Sequence, residues 1–297
     1  MKPAPFAYHR AHSVGEAVAL LAELGDEAKI LAGGLSLVPM MNFRLARPAA
    51  LVDVTQIEGL SYLRADPEGP GGGDGLRIGA LTTHRTVEVS RDPSVLAGYG
   101  VLPRSARWIG HYPIRSRGTF GGSIAHADPA SEWCLLAVLL GARVVLTGPD
   151  GPRTVPAAEF FQGYYTTAAR PDEMITELWF PRPAPGAMLT EFAQRQGDFA
   201  VVAAAVSVEI GDGACRSGHV VLGGIGPVPA RIDASALAGQ PASAETWWAM
   251  GEHAASQIDP PDDTHGSSEY RRRLTATLVA RALDQASLLV QPGQDRG

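Results

Sequence analysis

Two glycine pairs, each close to a hydroxyl side chain, constrain the fold of this chain more than any other feature. They lie in segments 31–38 (LAGGLSLV) and 119–124 (TFGGSI). Glycine lets backbone N–H groups turn toward an anion and approach it closely, and Ser or Thr hydroxyls add further donors. The segments therefore predict loops that cradle phosphate groups, and two such loops could clamp a diphosphate. The alternative is that each glycine pair only forms a tight turn.

The composition narrows the class of protein. The 297 residues are 45% apolar and 19% charged, which is enough chain for two domains of roughly 100 to 200 residues each. The net charge of −6 disfavours a nucleic-acid surface, which would carry clustered Lys and Arg. The apolar runs are far shorter than the ~18 residues of a membrane-spanning helix, and no secretory signal is visible, so we expect a cytoplasmic protein.

Motifs of the common cofactor and metal sites are missing from the sequence. Cys134 and Cys215 have no neighbouring cysteine or histidine, so the chain alone predicts no zinc or iron–sulfur site. The nearest histidine grouping, His126 and Asp128, is more typical of a structural hydrogen bond. GxGxxG, GxxxxGK[ST], HExxH and GxSxG are all absent. A phosphate site would therefore need a different architecture, and a redox metal would lie in another chain.

The pattern of apolar residues predicts a mixed α and β chain. A helix begins at the capping box of Ser13 and Glu16 and ends before Gly25. Another begins with Asp128 as the N-cap and Pro129 in its first turn and continues to residue 140. Turn-forming residues at 66–75 predict an exposed hairpin loop. The remaining predictions in this half are strands at 29–32, 51–54, 76–80, 142–147 and 174–180, and helices at 86–90 and 100–109.

A proline-rich segment at 181–186 predicts a linker between domains, because proline stiffens the chain and removes backbone donors. Beyond it, an antiparallel meander backed by helices is expected. The predicted strands are 189–193, 200–210 and 214–223, and the predicted helices are 242–258 and 269–289.

Longer motifs around the glycine pairs resemble those of a known family. Segments 32–39 (AGGLSLVP) and 44–48 (RLARP) resemble the first FAD-diphosphate loop of the flavoprotein medium subunits of the molybdenum hydroxylases, the xanthine dehydrogenase and carbon monoxide dehydrogenase group. Segment 114–129 (IRSRGTFGGSIAHADP) is similar to the second family signature. Supporting matches occur in order at 78–83, 160–164 and 197–200, so the resemblance extends from residue 6 to about residue 290.

The resemblance implies an α+β fold. It consists of a vanillyl-alcohol-oxidase (PCMH)-type FAD-binding domain of two α/β subdomains, followed by a C-terminal domain with a three-stranded antiparallel sheet and helices. The expected domain limits are 1–180, with subdomains at about 1–58 and 59–180, then 187–290, and a tail at 291–297.

The resemblance also implies which residues contact FAD. The backbone of segments 32–37 and 121–123 would hold the diphosphate, and three hydroxyls would add donors. Asp128 or Glu132 would accept from ribose or adenine, although Asp128 could instead be the helix cap. Valine at Gly33 or Gly122 is expected to remove the cofactor from a folded chain. The predicted set is Leu31, Ala32, Gly33, Gly34, Leu35, Ser36, Leu37, Val38, Ala80, Thr119, Gly121, Gly122, Ser123, Asp128, Glu132, Ile175 and Phe199.

Three of the implied positions concern the flavin ring. Ile175 matches an aliphatic residue packed near the isoalloxazine, or it is simply a buried strand residue. Phe199 matches an aromatic residue near one flavin face, or it is a core aromatic. Glu191 stands eight residues before it, where some relatives carry a lysine near the ring. That departure concerns the side of the ring where a second substrate would bind.

The expected function is that of the FAD-carrying subunit of a multi-subunit molybdenum hydroxylase. Hydroxylation would occur at a molybdenum cofactor in a large subunit, and [2Fe–2S] clusters of a small subunit would pass electrons to FAD. NAD, a quinone or another carrier would accept them, and the complex would be a dimer of heterotrimers. The substrate stays open among carbon monoxide, a purine, an N-heterocycle and an aldehyde. The alternatives are a stand-alone flavin oxidase, with His84, His111 or Tyr112 as a base, and a non-catalytic nucleotide-binding scaffold.

Overall fold

The computed structural model describes residues 1–67 and 74–290. Most of the predicted hairpin loop, residues 68–73, and the predicted tail 291–297 lie outside the described residues. No helix within the described ranges is long and apolar enough to cross a membrane.

A small parallel sheet forms from the N-terminal residues. Its strands are β1 (Ala7–Arg10), β2 (Ala28–Leu31) and β3 (Ala50–Asp53), in the order β1-β3-β2. Helix α1 (Val14–Leu24) crosses between β1 and β2, and the short α2 (Leu37–Asn42) follows β2. The Ser13 hydroxyl accepts the N–H of Glu16 at 3.1 Å, and Gly25 takes a positive φ of 67°. The predicted limits of α1 are confirmed.

A second sheet has five strands and is antiparallel throughout. In spatial order they are β4 (Leu63–Asp66), β5 (Gly75–Gly79), β10 (Met174–Phe180), β6 (Arg143–Gly148) and β7 (Gly151–Pro156). A pair of short strands, β8 (Phe161–Gly163) and β9 (Thr166–Thr167), lies between β7 and β10 in the chain. The helices are α3 (His84–Glu88), α4 (Pro93–Tyr99), α5 (Val101–Ser105), α6 (Tyr112–Arg117), α7 (Phe120–His126), α8 (Glu132–Leu139) and α9 (Ala157–Phe160).

The last hundred residues form an antiparallel sheet covered by two helices. Its strands follow chain order as β11 (Ala187–Phe192), β12 (Val202–Gly211), β13 (Ala214–Gly223) and β14 (Ala230–Ile232). The three predicted strands are present, and β14 adds a short fourth one at the edge. The helices are α10 (Ala244–Ser256) and α11 (Ser268–Val290).

Strand β12 is buried on both faces and joins two hydrophobic cores. Ala203 and Ala205 belong to a core that includes Trp133 and the five-stranded sheet. Ala204 and Val206, which point to the opposite face, belong to a core with α10 and α11. The alternation of small and branched residues therefore lets one strand lie between α8 and the C-terminal helices.

One predicted helix start is wrong, and one helix was not predicted. Helix α8 begins at Glu132 with Ser131 as its N-cap, and Asp128 does not cap it. The Asp128 carboxylate instead accepts the N–H of Ala130 at 2.9 Å, which closes a turn before the helix. The helix predicted at 100–109 is preceded by α4, whose start at Asp92 followed by proline is the N-cap signal that the sequence interpretation overlooked.

Candidate functional site

The two glycine segments lie against each other. A Cβ on Gly33 would clash with the carbonyl oxygen of Arg117 and lie 2.9 Å from the Cα of Gly118. Gly34, next in the chain, has a φ of +76°. The first segment connects β2 to α2, and the second leads from α6 into α7. Gly33 is therefore required by contact between the segments, so a valine there would disrupt protein packing as well as any ligand.

The first segment presents unused backbone donors. Within the described residues, none of the N–H groups of residues 33–37 donates to a backbone acceptor. The next N–H, that of Val38, bonds the carbonyl of Gly34 at 2.9 Å and starts α2. The Ser36 side chain does not cap this helix, and residues 31–37 are only partly buried. A run of adjacent free N–H groups is the arrangement that binds an anion.

The second segment uses its donors within the protein. The N–H of Gly121 bonds the carbonyl of Ala80 at 2.9 Å, and a Cβ on Gly121 would lie 2.6 Å from that of Ala80. The N–H of Gly122 bonds the Thr119 hydroxyl at 3.1 Å, and that of Ser123 bonds the Thr119 carbonyl at 3.0 Å. The second glycine pair thus fixes the first turn of α7 against the five-stranded sheet. The Ser123 hydroxyl also has a partner within the protein, the Ser131 hydroxyl at 2.8 Å.

Asp128 lies beside Tyr165, which was not among the site residues predicted from the sequence. The carboxylate accepts from the hydroxyl of Tyr165 at 3.4 Å, and the Tyr165 ring lies 5.1 Å from the ring of His126 between centroids. Burial lowers the pKa of His126, so the ring is neutral near pH 7. Tyr165 is more than half exposed, with a left-handed φ of 53°. Its place directly after the aromatic motif at 160–164 is the only signal that the sequence offered.

The structure also pairs two carboxyl groups that are distant in the sequence. Glu132 opens α8 and Glu191 lies near the end of β11. Burial raises the pKa of Glu132, and the nearby charge of Glu191 raises it further. Burial also raises the pKa of Glu191, one of whose oxygens is buried without a hydrogen-bond partner among the described residues. Glu191 stands where some relatives carry a lysine. Together with Glu132 it therefore forms a pair of carboxyl groups that favours the protonated form.

A cavity of about 340 Å³ borders Glu191. Arg104 and Trp108 from the first half and Arg281 and Gln285 from α11 line it. Arg104 donates to the carbonyl of Ala187 at 3.1 Å, which fixes its guanidinium across the connection to β11. No ion pair joins Glu191 to either arginine in the part of the chain that the structure describes.

The two residues predicted beside the flavin ring differ in exposure. Phe199 is 69% exposed, which excludes the core interpretation. Its loop is anchored where Gly197, with a φ of +87°, approaches His111, because a Cβ there would lie 2.8 Å from that ring. Ile175 is 8% exposed and belongs to the core beside a bulge in β10.

The strongest base candidate for a stand-alone oxidase is a structural residue. His84 is buried, and its Nδ1 accepts from the indole N–H of Trp133 at 2.9 Å. Burial, assisted by the charge of Arg115, lowers the pKa of His84 to about 4, so its ring stays neutral at pH 7. His111 and Tyr112 are exposed at the start of α6.

The chain around the two glycine segments is free of acidic residues as far as Asp128. Residues 28–52 and 93–127 carry arginines and one lysine but neither Asp nor Glu, although the whole chain has a net charge of −6. Of these cations, Arg115 is neutralised by Glu88 at 2.9 Å. The resulting local excess of positive charge favours an anionic ligand such as a diphosphate.

Comparisons with known proteins identify the family of this chain. Residues 4–183 match the family of FAD-binding domains in molybdopterin dehydrogenases, and residues 187–286 match the C-terminal domain of carbon monoxide dehydrogenase flavoproteins. The chain is 36% identical to the alpha subunit of the 6-hydroxypseudooxynicotine dehydrogenase complex of Paenarthrobacter nicotinovorans, over 99% of both chains. It is 35% identical to the carbon monoxide dehydrogenase medium chain of Hydrogenophaga pseudoflava, over 96% of this chain and 98% of that one.

A solved structure gives the same result for the fold. Quinoline 2-oxidoreductase from Pseudomonas putida 86 has a chain that superposes with a TM-score of 0.91 at 31% identity, covering 98% of this chain and all of that one. The fold and the site thus define a FAD-binding subunit of an oxidoreductase. The chain belongs to the molybdenum hydroxylase family, as a medium subunit of the carbon monoxide dehydrogenase and xanthine dehydrogenase type.

Proposed function

We propose that this chain receives electrons from [2Fe–2S] clusters of a small subunit and passes them to an external acceptor, after hydroxylation at a molybdenum cofactor in a large subunit. The proposed assembly is a dimer of heterotrimers in the cytoplasm. We also propose the domain limits 1–180, with subdomains at about 1–58 and 59–180, and 187–290. The change from one matched family to the other between residues 183 and 187 supports these limits.

The free N–H groups of residues 33–37 are the observation that carries the proposal. They supply adjacent donors for the FAD diphosphate, and the Ser36 hydroxyl adds one more. Arg117 and Gly118 form the wall behind this loop, while the Thr119 and Ser123 hydroxyls lie at the start of α7. The first loop supplies backbone donors, and the second supplies position and side-chain hydroxyls.

Bound flavin can exchange electrons singly with iron–sulfur carriers and in pairs with an acceptor such as NAD. The residues of this chain bind and orient it. The exposed ring of Phe199 offers an apolar face at the site, and the loop that carries it is held by the contact of Gly197 with His111. Asp128, Tyr165 and His126 form a mixed polar and aromatic cluster that suits ribose and adenine.

The substrate of the complex is not a property of this chain. Relatives of similar identity are named for nicotine 6-hydroxylation, caffeine dehydrogenation and carbon monoxide dehydrogenation. Medium subunits with one fold thus serve complexes with different substrates. The terminal acceptor is equally open, and the carboxyl pair of Glu132 and Glu191 is the feature most relevant to it.

The experiment compares Ser36→Asp with the nearly isosteric Ser36→Asn in the co-expressed complex. A carboxylate beside the free N–H groups should repel the diphosphate and reduce the FAD content roughly tenfold or more, whereas the neutral amide should retain it. Absorption spectra and chromatography of acid-released flavin measure the content. Full FAD in Ser36→Asp would contradict the site.

The same preparation separates the alternatives. Wild-type protein with FAD, iron–sulfur absorbance and two further subunits is expected. FAD on a solitary chain that oxidises a substrate would favour the stand-alone oxidase, and bound flavin that is never reduced would favour the scaffold.

A further inference from the structure

An exposed apolar turn follows the first phosphate loop. Helix α2 ends at Asn42, and the next residues place Phe43 and Leu45 at the surface, 68% and 80% exposed. Large apolar side chains that are grouped and exposed in this way mark interaction surfaces more often than isolated ones do.

The turn has a fixed geometry. The N–H of Arg44 bonds the carbonyl of Met41 at 2.9 Å, and the N–H of Leu45 bonds that of Met40 at 2.9 Å. Arg44 has a left-handed φ of 58°, which a non-glycine residue adopts only where its surroundings impose it. The strain is maintained although neither neighbouring side chain packs into the core. A rigid presentation of two apolar side chains reduces the entropy cost of binding a partner.

The position of the turn indicates which partner subunit would bind there. One six-residue helix, α2, separates it from the loop of residues 33–37 that offers donors to the diphosphate. Val38, in the first turn of α2, is also exposed and continues the apolar surface toward that loop. A subunit that exchanges electrons with the flavin has to dock beside the segment that holds the cofactor. A subunit that only contacts the C-terminal sheet has no such requirement.

The charge of the turn indicates which kind of partner surface would be complementary to it. Arg44 lies between the two apolar residues and donates from Nε to the carbonyl of Lys2 at 3.4 Å, Arg47 follows them, and residues 28–52 contain no acidic residue. A complementary partner surface has an apolar centre and an acidic rim, because opposite charges steer association and like charges oppose it.

We propose that the Phe43 turn, defined as residues 43–47 with Phe43 and Leu45 at its centre, is the docking surface for the iron–sulfur partner subunit. The partner's contact surface is apolar with acidic residues around it. This inference rests on the proposed function, since that function supplies the iron–sulfur partner.

The test uses the three-subunit complex, co-expressed and purified through a tag on this chain. The variant is Phe43→Ser with Leu45→Ser. Its matched control is Trp248→Ser with Leu288→Ser, two residues of the C-terminal helices that are 52% and 63% exposed. Iron and FAD are measured per chain. We expect the Phe43 and Leu45 variant to lose roughly tenfold or more of its iron, with FAD unchanged, as truncation of central interface residues does.

Each other outcome overturns the inference. Iron at the wild-type level in the variant, or an equal loss of iron in the control, would show that the Phe43 turn does not dock this subunit. Loss of FAD from the variant would place the turn in the cofactor site instead. Wild-type complex with FAD but without iron would overturn the proposed function, and this partner with it. A further variant, Arg44→Glu with Arg47→Glu, should lower iron content more strongly at low salt than at high salt.

Discussion

The protonation of Glu191 and Glu132 differs between the folded and the unfolded chain. Burial raises both pKa values, and the charge of Glu191 further raises that of Glu132. The folded chain therefore retains protons that the unfolded chain releases above a pH of about 4.5. It follows that the pair weakens the fold as the pH rises through neutrality. Arg104 and Arg281 line the same cavity, and Asp128 adds another negative charge near Glu132.

We predict that Glu191→Gln flattens this pH dependence. The free energy of unfolding of the wild type should fall between about pH 4.5 and 8, and the variant should lose less because one titrating carboxyl is gone. Urea unfolding at several pH values measures the slope. Glu209→Gln, which changes an exposed carboxyl on β12, is the control. An unchanged slope in Glu191→Gln would mean that Glu191 does not titrate across this range.

At single residues, the sequence indicated the loops but not which atoms are free. The two glycine pairs look equivalent in the sequence, yet residues 33–37 keep their N–H groups free while Gly121 and Gly122 use theirs internally. That distinction depends on where Ala80 and Thr119 lie, which no local pattern specifies. The same reasoning changes the meaning of Gly33, whose missing side chain makes room for Arg117.

Helix α7 depends on its N-cap. The Thr119 hydroxyl accepts the N–H of Gly122, and Thr119 itself pairs with Thr83 in an isolated antiparallel bridge. Thr119→Ala should lower the free energy of unfolding by about 1 kcal/mol and reduce FAD affinity, because the first turn of α7 loosens. Thr119→Ser should retain both. Urea unfolding and FAD titration measure the two effects. FAD loss without destabilisation would show that the hydroxyl serves the cofactor alone.

Helices and strands were predicted well where a capping residue or a turn marked their ends. The capping box at Ser13 and the strands of the meander both follow from the sequence. The start of α8 was wrong because an Asp followed by Pro fits both a helix cap and the turn that it actually forms. Strand β14 has three residues and no distinctive pattern, so only its pairing with β13 reveals it.

Across the whole molecule, the cofactor should act as a clamp. The loop after β2 and the segment before α7 belong to different sheets and meet at the proposed diphosphate site. Removing FAD should therefore lower the melting temperature, and free FAD at a hundredfold excess over Kd should raise the free energy of unfolding by about 2.7 kcal/mol. Thermal scans of deflavinated protein test this. Ser36→Asp should not respond to FAD, and equal melting temperatures with and without FAD would contradict the clamp.

Contacts between distant segments are what the sequence alone could not supply. The resemblance predicted the family fold, and the fold is confirmed. The approach of Glu191 to Glu132, and of Tyr165 to Asp128, depends on how β11 and the β8 and β9 hairpin pack onto α7 and α8. Such meetings depend on tertiary packing rather than on spacing along the chain.

The contact of Gly33 with Arg117 and Gly118 also sets an order of events during synthesis. The first phosphate loop leaves the ribosome early, but its wall is translated only with residues 117 and 118. A nascent chain that ends before those residues has the donors without the cavity. Loading of the cofactor therefore follows translation of the second segment.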